Sequence, residues 1–214
     1  MTIVITGASR GIGAGLRAKY RALGRDVVGT ARSDAADIRL DVTQPASHDA
    51  MAAALGDRAV DLLICNAGVY LDKGHGLETG YGPDLWAETF ATNVTGVFLA
   101  IQALLPHLRR GEGSKIAIIS SQMASDTRAP GGSYIYRASK AAVLNLGRNL
   151  AADLKPEGIA VGIYHPGWVQ TDMGGGAADI TVDEAVDGLI ARFDALSIGT
   201  TGCFETWDGR AHPY

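Results

Sequence analysis

The sequence predicts an α/β fold in which one doubly wound parallel sheet carries helices on both faces. Three observations point to it. Short runs that are apolar at nearly every position alternate with longer stretches of helical spacing along the whole chain, and such unbroken runs suit parallel strands covered on both faces. Glycine-rich segments fall at the ends of those runs, where strands turn into helices. The chain has 214 residues, 47% of them hydrophobic and 20% charged, without repeats, low-complexity tracts or linkers. That length suits one hydrophobic core, so residues 1–214 are expected to form a single domain.

Taken in order, the runs are TIVIT from Thr2, DVVGT from Asp26, DIRLDV from Asp37, VDLLI from Val60, KIAIIS from Lys115 and GIAVGIY from Gly158, with a closing edge strand at 202–205. Between them the spacing predicts helices over 12–23, 46–55, 83–108, 133–154 and 181–196. Right-handed crossovers then place the helices alternately on the two faces. In such sheets ligands bind in the crevice at the carboxyl ends of the strands, so the chemistry is sought just after each run.

Charge and cysteine usage narrow the class. With 19 basic and 23 acidic residues the net charge is −4, which argues against a surface built for phosphate backbones or anionic lipid. Neither nucleic acid nor membrane is an expected partner. The opening MTIVITGASRGIG has no basic segment before its apolar residues and reads as strand and turn rather than a signal; no apolar run approaches the ~20 residues that span a bilayer. Cys65 and Cys203 lie in no metal-ligand or CxxC spacing. They fit a reduced, cytoplasmic protein with buried thiols and no metal site.

The first run ends in Thr6-Gly7-Ala8-Ser9-Arg10-Gly11-Ile12-Gly13, a glycine-rich turn opening a helix whose N-terminal amides favour an anion. A dinucleotide pyrophosphate fits there. The spacing is GxxxGxG, and the needs are a tight turn, close backbone approach and helix against strand without a side chain between. The second run ends in Gly29-Thr30-Ala31-Arg32-Ser33. Arg32 stands where a ribose 2′-phosphate wants a partner, no acid occupies positions 30 or 31, and Arg10 offers a second guanidinium, so NADP(H) is preferred. Asp34 stands against this, since an acid there could reach the ribose diol if the strand runs on, and NAD(H) stays possible.

Four segments now coincide in chain order: TGASRGIG at Thr6, CNAG at Cys65, SS at Ser120 followed by Tyr136-Arg137-Ala138-Ser139-Lys140, and HPGWVQTDM at His165. Together they resemble the short-chain dehydrogenase/reductase family over essentially the whole chain, in particular its C-factor-like and small carbonyl-reductase branch. The resemblance implies a Rossmann fold of about seven parallel strands, a nicotinamide cofactor, and hydride transfer between it and a small-molecule carbonyl or alcohol. It implies cofactor contacts from Gly7, Ser9, Arg10, Gly11, Ile12, Gly13, Arg32, Asp41, Asn66, Ala67, Gly68, Tyr136, Lys140, Pro166, Gly167, Val169 and Thr171. Asp41 would meet the adenine amino group, with a turn-forming acid as the equal alternative. Two departures stand out: Cys65 replaces the usual first Asn of NNAG and is expected to be a small buried substitute, and Gly174-Gly175-Gly176 leaves a minimal substrate lid.

Tyr136 and Lys140 are four residues apart on a helix and so share a face. A phenol near pKa ~10 is a poor acid-base group at neutral pH, and a neighbouring ammonium is expected to draw it down. By resemblance Lys140 also binds the nicotinamide ribose, and Asn93 holds a water linked to that lysine. Ser121, directly after KIAIIS, can donate to a developing oxyanion; Ser120 is the competing candidate. His165, before Pro-Gly, is expected to be structural. Tyr70, Leu71, Met123, Trp168 and Met173 suggest an apolar-walled pocket. The helices over 83–108 and 133–154 are those the family uses for homodimers and tetramers. The main rival from another class is a redox-sensing or signalling protein that binds NADP without turning over substrate, and a purely structural partner-binding protein is a third.

Overall fold

Apolar runs with no polar alternation leave a strand no solvent face, and the sheet is buried accordingly. The computed structural model describes residues 1–33, 36–78 and 80–214. Within them one fully parallel sheet has the order β3-β2-β1-β4-β5-β6-β7. The strands are β1 (Thr2–Thr6), β2 (Asp26–Ala31), β3 (Ile38–Arg39), β4 (Leu62–Cys65), β5 (Lys115–Ile119), β6 (Ala160–His165) and β7 (Phe204–Thr206). The helices are α1 (Gly11–Ala22), α2 (Pro45–Leu55), α3 (Pro83–Phe90), α4 (Gly96–Leu108), α5 (Tyr134–Leu154) and α6 (Val182–Ala195). The chain runs outward through β1, β2 and β3 and then returns to set β4 on the other flank of β1. That reversal opens a crevice above β1 and β4.

Alternate residues of each strand feed two cores. Val4, Val28, Leu63, Ile116, Ile118, Val161 and Ile163 meet α2, α4 and α5. Ile3, Ile5, Val27, Leu62, Ile64 and Ile119 meet Leu16 and Tyr20 of α1 and Leu189 and Phe193 of α6. Each such side chain taken from water stabilises the fold by about 1.5–3 kcal/mol, so covering both faces is what commits these runs to a parallel sheet. Cys65 belongs to the first core, its thiol pushed up to about 12 by burial. It is the small buried residue expected, and both cysteines are free thiols.

Three expectations need correction. DIRLDV shrinks to Ile38–Arg39, because the Leu40 amide bonds Ala31 O at 2.8 Å and Asp41 folds the chain away by accepting from Thr43 N and Thr43 Oγ1 at 3.0 and 2.7 Å. The helix over 83–108 is continuous but contains one π-turn, Ala91–Thr95, between α3 and α4. Those 26 residues are also long and apolar enough to cross a membrane; here the apolar side of α4 is spent on the sheet, through Val97, Ile101, Leu104 and Leu108. Ser133 does not begin α5. It is left-handed, φ 48° and ψ 44°, and the helix starts at Tyr134.

Candidate active site

The glycine turn is shaped by contact with the turn after β4. A Cβ on Gly7, whose φ is +70°, would lie 2.8 Å from Ala67 Cα, and one on Gly13 would lie 2.2 Å from Gly7 O and 2.5 Å from Asn66 Nδ2. Asn66 ties the two turns together by donating from Nδ2 to Thr6 O at 3.1 Å and Gly7 O at 3.0 Å. The N-terminus of α1 has no capping side chain and no acid in its first turn. Its amides and the positive end of its dipole are therefore offered to an anion brought from outside, as a pyrophosphate cradle requires. From the far side the loop after β6 closes in, with the Thr171 methyl 3.3 Å from where a Cβ on Gly11 would be.

The groups expected around the adenosine divide. Ser9, Arg10 and Arg32 are exposed at the sheet edge, but Arg10 is paired at 3.0 Å with Asp172 of the β6 loop. Asp41 plays the turn-forming role described above. Asp34, the acid counted against NADP, lies outside the described residues. Sequence reading missed Asp37, which accepts from Gly29 N at 2.7 Å and from Arg17 and Arg21 at 2.6 and 2.8 Å. Its backbone and guanidinium hydrogen bonds outweigh desolvation and hold its carboxyl below the usual range. The available signal was the pair of arginines four apart on α1, facing β2.

The candidate catalytic residues meet at the carboxyl ends of β4 and β5. Tyr136, in the first turn of α5, is 7% exposed. Burial pushes its phenol up to about 12, while the nearby Ser121 hydroxyl pulls the other way. Ser121 also caps the short turn after β5, accepting from Met123 N at 3.1 Å. Ser120 points elsewhere and donates to Lys140 O at 3.0 Å, which leaves Ser121 as the serine facing Tyr136. Lys140 is 6% exposed, with Nζ donating to Ile119 O at 3.0 Å and lying 5.6 Å from the centre of the Tyr136 ring. Burial brings its ammonium down to about 8. Burial is the largest influence on both groups, and Lys140 is not among the neighbours that shift the phenol in this arrangement.

Asn93 lies in the π-turn, a distortion often found where a helix serves a site. Its amide accepts from Val69 N at 2.8 Å and donates to Val69 O at 2.9 Å and Ser139 Oγ at 3.0 Å. It thereby fixes the segment after Gly68, where a Cβ would be 3.5 Å from Lys140 Nζ. Pro166, Gly167 and Val169 line the β6 loop, where Val169 bridges to Ile180. Trp168 and Met173 are exposed at the mouth; Trp168 Nε1 donates to Gly174 O at 3.0 Å, and Lys73 joins the β4 and β6 loops by donating to Met173 O at 3.1 Å. His165 is buried against the His212 ring, and desolvation lowers its pKa to about 4, in keeping with a structural role. Among the described residues no His, Cys, Asp and Glu cluster could hold a metal ion.

Residues 1–179 match the short chain dehydrogenase family. The chain is 38% identical over 159 residues to C-signal of Myxococcus xanthus, covering 72% of this chain and 93% of that protein. It is 34% identical over 225 residues to 1-hydroxy-2-glutathionyl-2-methyl-3-butene dehydrogenase of Rhodococcus sp. (strain AD45), covering 97% of each. The structure of NADPH-bound carbonyl reductase from chicken fatty liver superposes with a TM-score of 0.90 at 32% identity, over 100% of this chain and 98% of that one. This chain therefore belongs to the short-chain dehydrogenase/reductase family, and is an oxidoreductase of the CH–OH/C=O class.

Proposed function

We propose that the protein is an NADP(H)-dependent carbonyl reductase, running in reverse as an alcohol dehydrogenase, and that Ser121, Tyr136 and Lys140 carry the chemistry. The observation that supports this most is the placing of the buried Lys140 ammonium 5.6 Å from the centre of the buried Tyr136 ring, with Ser121 just after β5 and an uncapped glycine turn at the same end of the sheet. The cofactor supplies or takes the hydride when bound. Gly7 to Gly13, Asn66, Ala67 and Gly68 would hold its pyrophosphate side, and Val169 and Thr171 its carboxamide. Ser121 orients the substrate oxygen and donates to it as negative charge develops. Tyr136, neutral at pH 7 with its pKa near 12, holds the proton that this oxygen needs in the reducing direction. In the oxidising direction it must first lose that proton, and Lys140, held at the ribose, would favour the phenolate. Asn93 would keep a water in line with the lysine.

The same reading takes residues 1–214 as one binding and catalytic domain in the cytoplasm, acting on a small carbonyl or alcohol compound, and assembling as a homodimer or tetramer through α4 and α5. Similarity to C-signal favours a second reading, an NADP-binding redox-sensing or signalling protein without turnover. Titration with NADPH followed by a screen of aromatic aldehydes, ketones and quinones separates the two. Binding with NADPH consumption supports the enzyme; binding with none across the screen supports the sensor.

NADPH is expected to bind more tightly than NADH, because Arg32 is exposed at the end of β2 with no acid at positions 30 and 31. Arg32→Ala should weaken NADPH about tenfold and leave NADH unchanged, in line with the ~1.5–3 kcal/mol of a charged hydrogen bond. Equal affinities in the wild type would overturn the preference.

A further inference from the structure

The segment following the CNAG turn does more than line a pocket. Asp72 is fully buried, yet its carboxylate reaches helix α5, sixty-odd residues on in the chain. Oδ2 accepts from Ile135 N at 2.9 Å, and both oxygens accept from Tyr136 N at 3.3 Å. These are amides of the first turn of α5, which ordinarily take a capping oxygen from the residue just before the helix. That residue is Ser133, and its side chain makes no cap. Its hydroxyl is instead hydrogen-bonded to the Tyr70 hydroxyl, and it is the only described non-glycine residue with positive φ. Tyr70 in turn stacks on Tyr136, with ring centres 4.2 Å apart and planes at 22°. The base of the segment is fastened by the two hydrogen bonds of Asn93 to Val69. Attachments at Val69, Tyr70 and Asp72 thus hold one short segment against the first turn of α5 and the Tyr136 ring.

We propose that Tyr70 and Asp72 form a clamp that positions Tyr136, Asp72 by capping its helix turn in place of Ser133 and Tyr70 by covering one face of its ring. Both are positioning residues; the inference rests on the assignment of Tyr136 as the acid-base group. The clamp has two consequences. With one ring face covered by Tyr70, the substrate oxygen must approach from the side of Ser121. And the positive end of the α5 dipole, which alone would favour a phenolate at Tyr136, is answered by the Asp72 carboxylate. The titratable groups facing the phenol are Tyr70 and Asp72 from the segment after β4 and Lys140 from α5, with the Ser121 hydroxyl at the end of β5. After desolvation, Tyr70 and Asp72 are the neighbours that raise its pKa. Removing either should therefore move the phenol towards easier ionisation.

The test compares the full-length wild type with Asp72→Asn, Tyr70→Phe, Tyr70→Ala and Tyr136→Phe. In cofactor-free protein, hydrogen exchange at the Ile135 and Tyr136 amides should quicken about tenfold or more in Asp72→Asn, whose amide is a weaker, uncharged acceptor. With NADPH and an aromatic o-quinone, kcat should fall about tenfold or more while KM changes little, because misplacement of the reacting group is felt in the transition state. The alkaline limb of the kcat profile should move to lower pH in Asp72→Asn and in both Tyr70 variants, each of which removes an ionisable neighbour of the phenol. Tyr70→Phe, which keeps the stacked ring and loses only the hydroxyl, should regain most of the kcat lost in Tyr70→Ala. Should Asp72→Asn not fold, the two Tyr70 variants carry the pH test alone. An unmoved alkaline limb in the folded variants, with Tyr136→Phe inactive, overturns the clamp alone. Normal turnover by Tyr136→Phe overturns the acid-base assignment itself and the clamp's catalytic meaning with it.

Discussion

Tyr136→Phe, which removes one oxygen, should fold and bind NADPH as the wild type does while turnover falls by about 10²-fold or more. The ring lies in a pocket closed by Tyr70 and is 7% exposed, so phenylalanine fills the same space and leaves no cavity. Ser121 loses the phenol but keeps its bond from Met123 N at 3.1 Å. What disappears is the proton that the substrate oxygen must receive. Melting curves, NADPH fluorescence titrations and rates on any carbonyl the wild type reduces separate the three effects. Near-normal turnover would take Tyr136 out of the mechanism.

Lys140→Met should separate activity from stability in the opposite sense. Turnover is expected to fall by about 10²-fold or more, and NADPH affinity with it, since the ammonium is assigned both to the ribose and to the phenol. The cofactor-free variant should nevertheless be more stable than the wild type at neutral pH. Burial lowers the Lys140 pKa from 10.5 to about 8. A base held below its unfolded value costs stability wherever it is charged in both states, here below about pH 8. Between about 8 and 10.5 the unfolded chain holds the proton and the folded chain does not, so the cost fades as pH rises. Methionine keeps the aliphatic packing and removes the cost, at the loss of one hydrogen bond to Ile119 O. The net gain should be about 1–2 kcal/mol, visible as a higher Tm at pH 7 that shrinks as pH rises and drops below the wild type's as pH approaches 10.5, where only the lost hydrogen bond remains. Tyr136 and Cys65, which ionise higher, are present in both proteins and do not affect the difference. A lower Tm for the variant at pH 7 would contradict this reading of the buried ammonium.

Most of the sheet was legible because its strands have no solvent face. TIVIT coincides with β1, the run from Lys115 contains the whole of β5, and those from Asp26 and Gly158 each contain their strand but for its last residue. The short β3 was not legible, since its end is set by the side chain of Asp41 turning back on Thr43 and not by hydrophobic pattern. Nor was the π-turn: Ala-Thr-Asn-Val-Thr carries no spacing that distinguishes i+5 from i+4 bonding. In the site, chain order made Ser121, Tyr136 and Lys140 readable as a group, and spacing put the last two on one face. Spacing could not show that burial would dominate the ionisation of both. Tyr70 was readable only as an apolar wall, and Asp72 not at all, because the amides it caps are 63 and 64 positions away and only the folded sheet brings them together.

The account rests on hydride moving between a bound nicotinamide and a carbon–oxygen centre under the control of these residues. With NADPH deuterated at the transferable C4 position and a carbonyl compound from the screen, the label should appear on the carbinol carbon of the product with wild-type protein and accumulate there about 10²-fold more slowly with Tyr136→Phe. Bound NADPH that keeps its deuterium across the whole screen would contradict the account and leave a protein that senses the cofactor without using it.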